Sequence, residues 1–356
     1  MQTDIAIIGS GPVGIFAAFQ AGLLGMKSCI IDALDSPGGQ CSALYPEKPI
    51  FDIPAHPEIL AQGLVDNLVE QAAQFDPVYL LSRQVTSMQV AGMRGAGMSD
   101  AGVHDAGMHD AGGPDADGCF ELETSKGDHV RAKAVIIAAG AGCFGYNRPP
   151  LADIKSYEDK SVFYFVDKRD KFASRKILIA GGGDSALDWA ISLASIAEVS
   201  LVHRRAKFRA APSSVAKIHE LADAGKLELI TGFQLEGLSG KDGVLERVTL
   251  ADLDGNKKHV DADILLPFFG LSQDLGPLLE MGLDIKGHNI KANYPHFETN
   301  IPGVYAVGDV ATYEGKLKLI LSGFSEAASA LHHAYARVFD GKALHFEYST
   351  SKVGKK

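Results

Sequence analysis

Twice within 356 residues the chain repeats one arrangement: a short apolar run, a glycine-rich turn, an apolar helical pattern and a second apolar run. The first copy, DIAIIGSGPVGIFAAFQAGLLGMKSCIID, begins at Asp4, and the second, KILIAGGGDSALDWAISLASIAEVSLVHRR, begins at Lys176. Short apolar runs without alternation read as strands buried on both faces, the mark of a parallel sheet covered by helices. Two such units restrict the chain to an α/β fold with two Rossmann-like dinucleotide-binding domains.

In the first unit the strand from Ile5 to Ile8 ends in Gly9-Ser10-Gly11-Pro12-Val13-Gly14, and a helix is expected from about Pro12 to Leu24. Gly9 permits the tight turn, Gly11 lets a pyrophosphate approach the backbone, and Gly14 lets helix and strand pack closely. The helix N-terminus offers free N–H groups and partial positive charge to the phosphates. The next strand, Ser28 to Ile31, stops at Asp32, 18 residues after Gly14. A carboxylate there accepts hydrogen bonds from an adenosine ribose.

In the second unit strand 176–180 leads into Gly181-Gly182-Gly183-Asp184-Ser185-Ala186, a GxGxxA turn with alanine in the packing position. A helix to about Ile196 and a strand from Val199 to Val202 follow. Where the first unit carries an acid, this one carries His203-Arg204-Arg205, 22 residues after Gly181. An acid there repels a ribose 2′-phosphate, whereas arginines favour it, so LVHRRAKFRA reads as a selector for NADPH over NADH. The competing reading is a solvated basic turn, the usual meaning of a charge run. Two sites imply two dinucleotides, one a bound flavin and the other an exchanging nicotinamide.

That positive charge is local, because the chain as a whole has net charge −10 and a pI near 5.6. The acidic balance argues against a nucleic-acid coat or a polybasic membrane binder. Cys29, Cys41, Cys119 and Cys143 form no CxxC, so neither a zinc ribbon nor a vicinal dithiol is expected, and sparse cysteine suits a reducing compartment. MQTDIAIIGSG enters a strand at once and reads as no signal peptide, and apolar runs such as ILLPFFGL are too short to span a bilayer. The expectation is a soluble, cytoplasmic protein without a metal.

Three more apolar runs end in small residues: AVIIAAG at 134–140, DADILLPFFG at 261–270, and GVYAVGD at 303–309, which ends on Asp309. Glycine and aspartate at strand ends gather at the carboxyl edge of a parallel sheet, where ligands sit. The order suggests one dinucleotide domain inserted into the other: an outer domain of 1–145 and 268–356, and an inner one of 150–266. AGCFGYNRPPL and FFGLSQ, rich in Gly and Pro, suit a pair of hinge strands. Residues 91–118 repeat alanine every five positions in a Gly- and Asp-rich tract, read as a loop expansion between strands VTSMQV and CFELETS. His104 and His109 within it are read as solvated rather than metal-binding.

GSGPVG, GGQ at 38–40, GGGDSALDWA, HRRAKFRA and GVYAVGDV together resemble the flavoprotein disulfide-reductase superfamily, in its thioredoxin-reductase branch. That branch would carry a CxxC shortly before the second glycine turn, where this chain has VFYFVDKRDKFASRK, with no cysteine after Cys143. Without the dithiol no electrons pass to a disulfide. SALYPEKPIFDI at 42–53, YFVDKRDKFASRK at 164–176, TYEGKLKLILSGFSEA at 312–327 and EYSTS at 347–351 are similar to the thioredoxin-reductase-like (type 2) ferredoxin/flavodoxin–NADP⁺ reductases.

The resemblance implies FAD in the outer domain and NADPH/NADP⁺ in the inner one. FAD would be held by Gly9, Gly11, Gly14, Asp32, Gln40, Tyr45, Val85, Phe144, Asp309 and Thr350. Tyr45 would stack on one face of the isoalloxazine, and Tyr348 of a partner copy, in rivalry with Phe346, would cover the other within a homodimer. NADPH would use Gly181, Gly183, Asp184, Ser185, His203, Arg204, Arg205 and Arg209. A helix starting near Ser322 to Glu326 would aim its N-terminus at the flavin. NADPH would give hydride to the flavin, and the flavin would give single electrons to ferredoxin or flavodoxin, after a hinge rotation joining the two rings. Lys168, Arg169, Lys171, Arg175 and Lys176 are the candidate docking cations for such an acidic carrier. Two rival readings are an FAD-dependent NADPH oxidase or quinone reductase, and a non-catalytic module that senses NADPH.

Overall fold

The computed structural model describes residues 1–91 and 118–344. The chain divides into two units. One comprises the described residues of Met1–Ala43, Lys48–Cys143 and the chain from Gln273 onward, and the other comprises Leu44–Glu47 and Phe144–Ser272.

The first unit is built on a seven-stranded sheet. Its order is Val78–Leu80, Ser28–Ile31, Gln2–Ile8, His129–Ile137, Phe120–Thr124 and Val85–Val90, with Val304–Ala306 also pairing to His129–Ile137. The last four residues of Gln2–Ile8 and of His129–Ile137, and all of Ser28–Ile31, are buried. That burial is why these runs lack alternation. Helix Pro12–Leu23 opens with proline in its first turn, where the missing N–H is no loss, and gives way to Gly25 at φ +75°. It packs against helices Ala61–Ala73 and Ile320–Val338. Phe16 tilts against Phe324 at 4.8 Å, and Phe19 against Phe75 at 5.7 Å. A side chain on Gly22 would stand 2.1 Å from the Phe75 ring, so the contact requires glycine.

The second unit carries a four-stranded parallel sheet in the order Glu228–Thr231, Glu198–His203, Lys176–Ala180 and Ile264–Pro267. Helices Asp184–Leu193 and Pro212–Asp223 pack against each other. A three-stranded antiparallel sheet, Gln234–Lys241, Val244–Ala251 and Lys257–Asp261, completes the unit. The sequence reading did not foresee this sheet. Its first hairpin turns through Asp242 and Gly243, both at positive φ, the pair that a tight hairpin demands. Strand Cys143–Tyr146 pairs with Leu271–Asp274 where the chain passes between the units.

Several boundaries differ from the sequence reading. Helix Asp184–Leu193 stops short of Ile196, and the helix expected near Ser322 to Glu326 begins earlier, at Ile320. Glu326 therefore sits inside that helix, not at its N-terminus. No helix among the described residues is long and apolar enough to cross a membrane.

Candidate functional site

Register brings the ends of four parallel strands to one edge of the first unit. Ile8 lies beside Ile31 and Ile137, and Ile137 beside Ala306. The glycine turn, Asp32 and the Gly308-Asp309 pair follow these ends and share that edge. Gly9 stands at φ +107°, and a Cβ there would lie 2.5 Å from the carbonyl oxygen of Ala138. A Cβ on Gly14 would lie 1.9 Å from the Gly9 carbonyl oxygen. Gly11 is different: a Cβ on it would meet nothing within 4 Å. Gly9 and Gly14 are glycine for packing, while Gly11 borders open space through which a diphosphate could approach the backbone.

The GGQ segment lies on this turn. Gly38 N–H donates to Ser10 O at 2.8 Å, and a Cβ on Gly39 would stand 3.1 Å from Gly11 Cα. Gln40 opens the short helix Gln40–Ala43, with its side-chain amide 3.8 Å from where a Gly140 Cβ would lie. Asp32 Oδ2 accepts from Ser10 N–H at 2.5 Å and from Ser10 Oγ at 2.8 Å, while Oδ1 accepts from Leu34 N–H at 2.8 Å. Asp32 thus ties the turn to the strand end and still has lone pairs for a ribose. The half-buried Asp309 carboxylate has no partner among the described residues, although the backbone around it is held firmly. Asn289 Nδ2 donates to Asp309 O at 2.6 Å, and Gly308 N–H donates to Glu326 Oε2 at 2.7 Å.

The remaining flavin candidates are spread more widely. Val85 is buried with its side chain in the core, so only its backbone can face a ligand. Phe144 lies in strand Cys143–Tyr146. Tyr45 is half-buried and packs against the apolar core of the second unit. Tyr348, Phe346 and Thr350 lie outside the described residues, as does nearly all of the 91–118 tract with His104 and His109.

The second glycine turn lies at the matching edge of its own sheet, where Ala180 pairs with Val202 and Pro267. A Cβ on Gly181 would meet the Phe268 carbonyl oxygen at 2.7 Å and the Ala186 Cβ at 2.8 Å, which accounts for alanine at 186. The basic segment folds back over this turn. Arg209 N–H donates to Gly182 O at 2.7 Å, and Asp184 Oδ1 accepts from Ala211 N–H at 2.8 Å. Ser185 follows Asp184 at the start of helix Asp184–Leu193. Arg204, Arg205 and Arg209 are exposed and form no ion pair among the described residues. His203 is placed differently from its neighbours: it stacks on Phe208 at 5.1 Å, and a Cβ on Gly182 would lie 2.2 Å from its ring. It walls the turn, and its buried Nε2 has no hydrogen-bond partner. Burial, with lesser help from the charges of Arg204, Arg205 and Arg209, holds its pKa below the ordinary histidine value, so the ring is neutral at pH 7.

The segment where a dithiol would stand holds aromatic rings instead. Tyr164 stacks on Tyr146 at 5.0 Å and donates to Glu158 Oε1 at 2.7 Å, which also accepts from Arg148 Nε at 2.6 Å. The Arg148 hydrogen bond holds the Glu158 carboxyl below the usual range, and burial pushes the Tyr146 phenol up to about 12. No group there exchanges electrons with a disulfide. Two of the five candidate docking cations are committed elsewhere: Lys171 pairs with Asp167, and Arg169 donates to Ser192 O at 2.6 Å. Lys168, Arg175 and Lys176 remain exposed and without an ion pair among the described residues. Sequence reading missed Glu326, a carboxylate 1% exposed, whose one signal was an acid within an apolar helical pattern.

A family model described as pyridine nucleotide-disulphide oxidoreductase matches residues 3–334. A ferredoxin–NADP reductase of Rickettsia felis is 54% identical over 355 residues, 99% of this chain and 98% of that one. The protein of the same name from Rickettsia prowazekii is 52% identical, covering 100% and 99%. Among solved structures, Lactococcus lactis thioredoxin reductase superposes with a TM-score of 0.76 at 24% identity, over 95% of this chain and 99% of that one. The T. acidophilum thioredoxin reductase gives 0.77 at 21% identity, with the same coverage. At such identity the structures establish the fold alone.

Proposed function

The chain belongs to the pyridine nucleotide-disulphide oxidoreductase family, and from that premise we propose that it is an FAD-dependent ferredoxin–NADP reductase. The observation that carries the reading is the contrast between two glycine turns: one strand end holds Asp32, the other holds Arg204 and Arg205, which form no ion pair among the described residues. Full-length relatives named ferredoxin–NADP reductase support it, and so does the absence of a dithiol after Cys143.

FAD, when bound, would supply two-electron chemistry toward NADPH and one-electron chemistry toward an iron–sulfur carrier. The first unit binds it: Gly11 leaves room for the diphosphate, Asp32 receives the adenosine ribose, and Asp309 and Gln40 contact the rest of the chain of atoms. Gly9 and Gly14 shape the turn, the Val85 backbone would border the bound group, and Phe144 and Tyr45 are the further candidate contacts that the family resemblance implies. A homodimer belongs to this reading, with Tyr348 and Thr350, outside the described residues, as the candidates for the other flavin face. The second unit binds NADPH through Gly181, Gly183, Asp184 and Ser185, with Arg204, Arg205 and Arg209 gripping the 2′-phosphate and His203 backing the turn. No acid or base is required of the protein, whose work is alignment. Ferredoxin, or flavodoxin in its place, docks at Lys168, Arg175 and Lys176, and the enzyme works in the cytoplasm.

The test is cytochrome c reduction by FAD-loaded protein, with NADPH or NADH, with and without ferredoxin. Strong stimulation by ferredoxin with NADPH alone is expected. Rapid NADPH oxidation indifferent to ferredoxin would assign an oxidase or quinone reductase instead, and no turnover a sensing module.

A further inference from the structure

The segment between strand Val304–Ala306 and helix Ile320–Val338 is fastened to one side chain. Glu326, on the second turn of that helix, accepts from Gly308 N–H through Oε2 at 2.7 Å, and from the Tyr313 hydroxyl through Oε1 at 2.6 Å. Lys316 Nζ also donates to Oε1. Both ends of the ion pair are nearly dry, with side-chain exposure of 7% for Lys316 and 2% for Glu326. The Lys316 ammonium lies 5.4 Å from the centre of the Tyr313 ring. Burial, then the bond to Glu326, pushes the Tyr313 phenol well above its ordinary value, so it remains a donor.

A buried ion pair is a costly way to stabilise a fold, because desolvation offsets much of its attraction. Its location gives it another use. The three donors, at 308, 313 and 316, span the segment that begins at the candidate ligand Asp309. From the opposite side Asn289 Nδ2 bonds Asp309 O. A Cβ on Gly323, one turn before Glu326, would stand 2.4 Å from Val13 of the first glycine turn and 3.4 Å from Gly308 Cα. The clamp therefore sits under the meeting point of three strand-end and helix-start segments that border the candidate flavin site.

We propose that Glu326 is a positioning residue for the flavin, fixing the Gly308-Asp309 turn, and that Lys316 keeps its charge balanced beside the ring system. The inference rests on the FAD reading above. Glu326→Gln leaves an uncompensated lysine near the cofactor, and Lys316→Met leaves an uncompensated carboxylate. Negative charge disfavours adding electrons and positive charge favours it, so the two variants move the flavin midpoint potential in opposite directions. The double variant Glu326→Gln/Lys316→Met is neutral, retains an acceptor for Gly308 N–H, and returns the potential to the wild-type value.

The experiment measures the midpoint potential and the FAD dissociation constant of the full chain and these three variants. Opposed shifts, with FAD binding weakened about 10- to 100-fold in the single variants and recovered in the double, are expected, by analogy with outer partners that orient a ligand. Shifts of one sign, unchanged potentials, or a double variant that does not recover would overturn the proposal. Failure of the double variant to fold would assign the clamp to folding alone and overturn it equally. If the wild-type chain itself takes up no FAD, the flavin reading falls first.

Discussion

Arg204 and Arg205 occupy the strand end that Asp32 occupies in the other unit, and their side chains are exposed, with no ion pair among the described residues. A charge-assisted hydrogen bond contributes about 1.5–3 kcal/mol. Replacing either arginine with alanine should therefore raise KM for NADPH about 10- to 100-fold, at about 1.4 kcal/mol per tenfold, with KM for NADH nearly unchanged. Steady-state kinetics with the two nucleotides checks this, and an equal loss for both would remove the selector role. At this scale the glycines were readable, because the demand on each is local: a turn, a close approach or an open space. His203 was only partly so. Its place against Gly182 and Phe208 depends on a fold-back that spacing does not encode. Glu326 was hidden for the same reason, since its partners sit 10 to 18 residues away on a segment without periodicity.

Among the elements, strands Val85–Val90 and Phe120–Thr124 show how the chain accommodates its odd tract. Val90 pairs with Phe120, and Ala91 N–H donates to Cys119 O at 2.8 Å, so the two ends of residues 92–117 meet across a closed antiparallel ladder. A short turn spans that gap as well as 26 residues do, and shortening a loop changes its closure entropy by only about 0.6 kcal/mol per halving. Replacing 92–117 with Asn-Gly should leave FAD content and NADPH oxidation unchanged, with melting temperature equal or slightly raised. A drop in FAD content would show that the tract serves the site. Flanking strands VTSMQV and CFELETS were legible from their alternation. The antiparallel sheet of the second unit was not legible, although Asp242-Gly243 is a hairpin signal, because register shifts at Leu235/Gly237 and Ser239/Gly240 break the alternation of its first strand.

For the whole molecule the governing quantity is a net charge of −10. A carrier of the same sign is repelled at long range, so productive encounters depend on a small region where the field reverses. Lys168, Arg175 and Lys176 are the cations of the candidate run without an ion pair among the described residues, and Arg169 and Lys171 should matter less because Ser192 and Asp167 hold them. Changing the first three residues to glutamate should raise KM for ferredoxin several-fold and flatten its dependence on ionic strength, with NADPH oxidation by a small artificial acceptor intact. Stopped-flow measurements over a salt series decide it, and an unaltered salt slope would move docking elsewhere. The two-domain plan itself was legible because it is one motif written twice. The exact exchange points were less so, since Leu44–Glu47 clusters with the second unit across a gap of nearly 100 residues that no local pattern announces.

Asp32 is gripped by Ser10 and Leu34 through both of its oxygens, so it cannot swing aside for an incoming phosphate. A chain with two related nucleotide cradles faces a sorting problem: the wrong guest in either seat makes an idle enzyme. On the proposed assignment, an anion held fast at one entrance and cations without an ion pair among the described residues at the other would act as two addresses, each refusing what the other accepts. On that assignment the cell's pool of phosphorylated nicotinamide nucleotide would rise and fall without evicting the resident of the first seat.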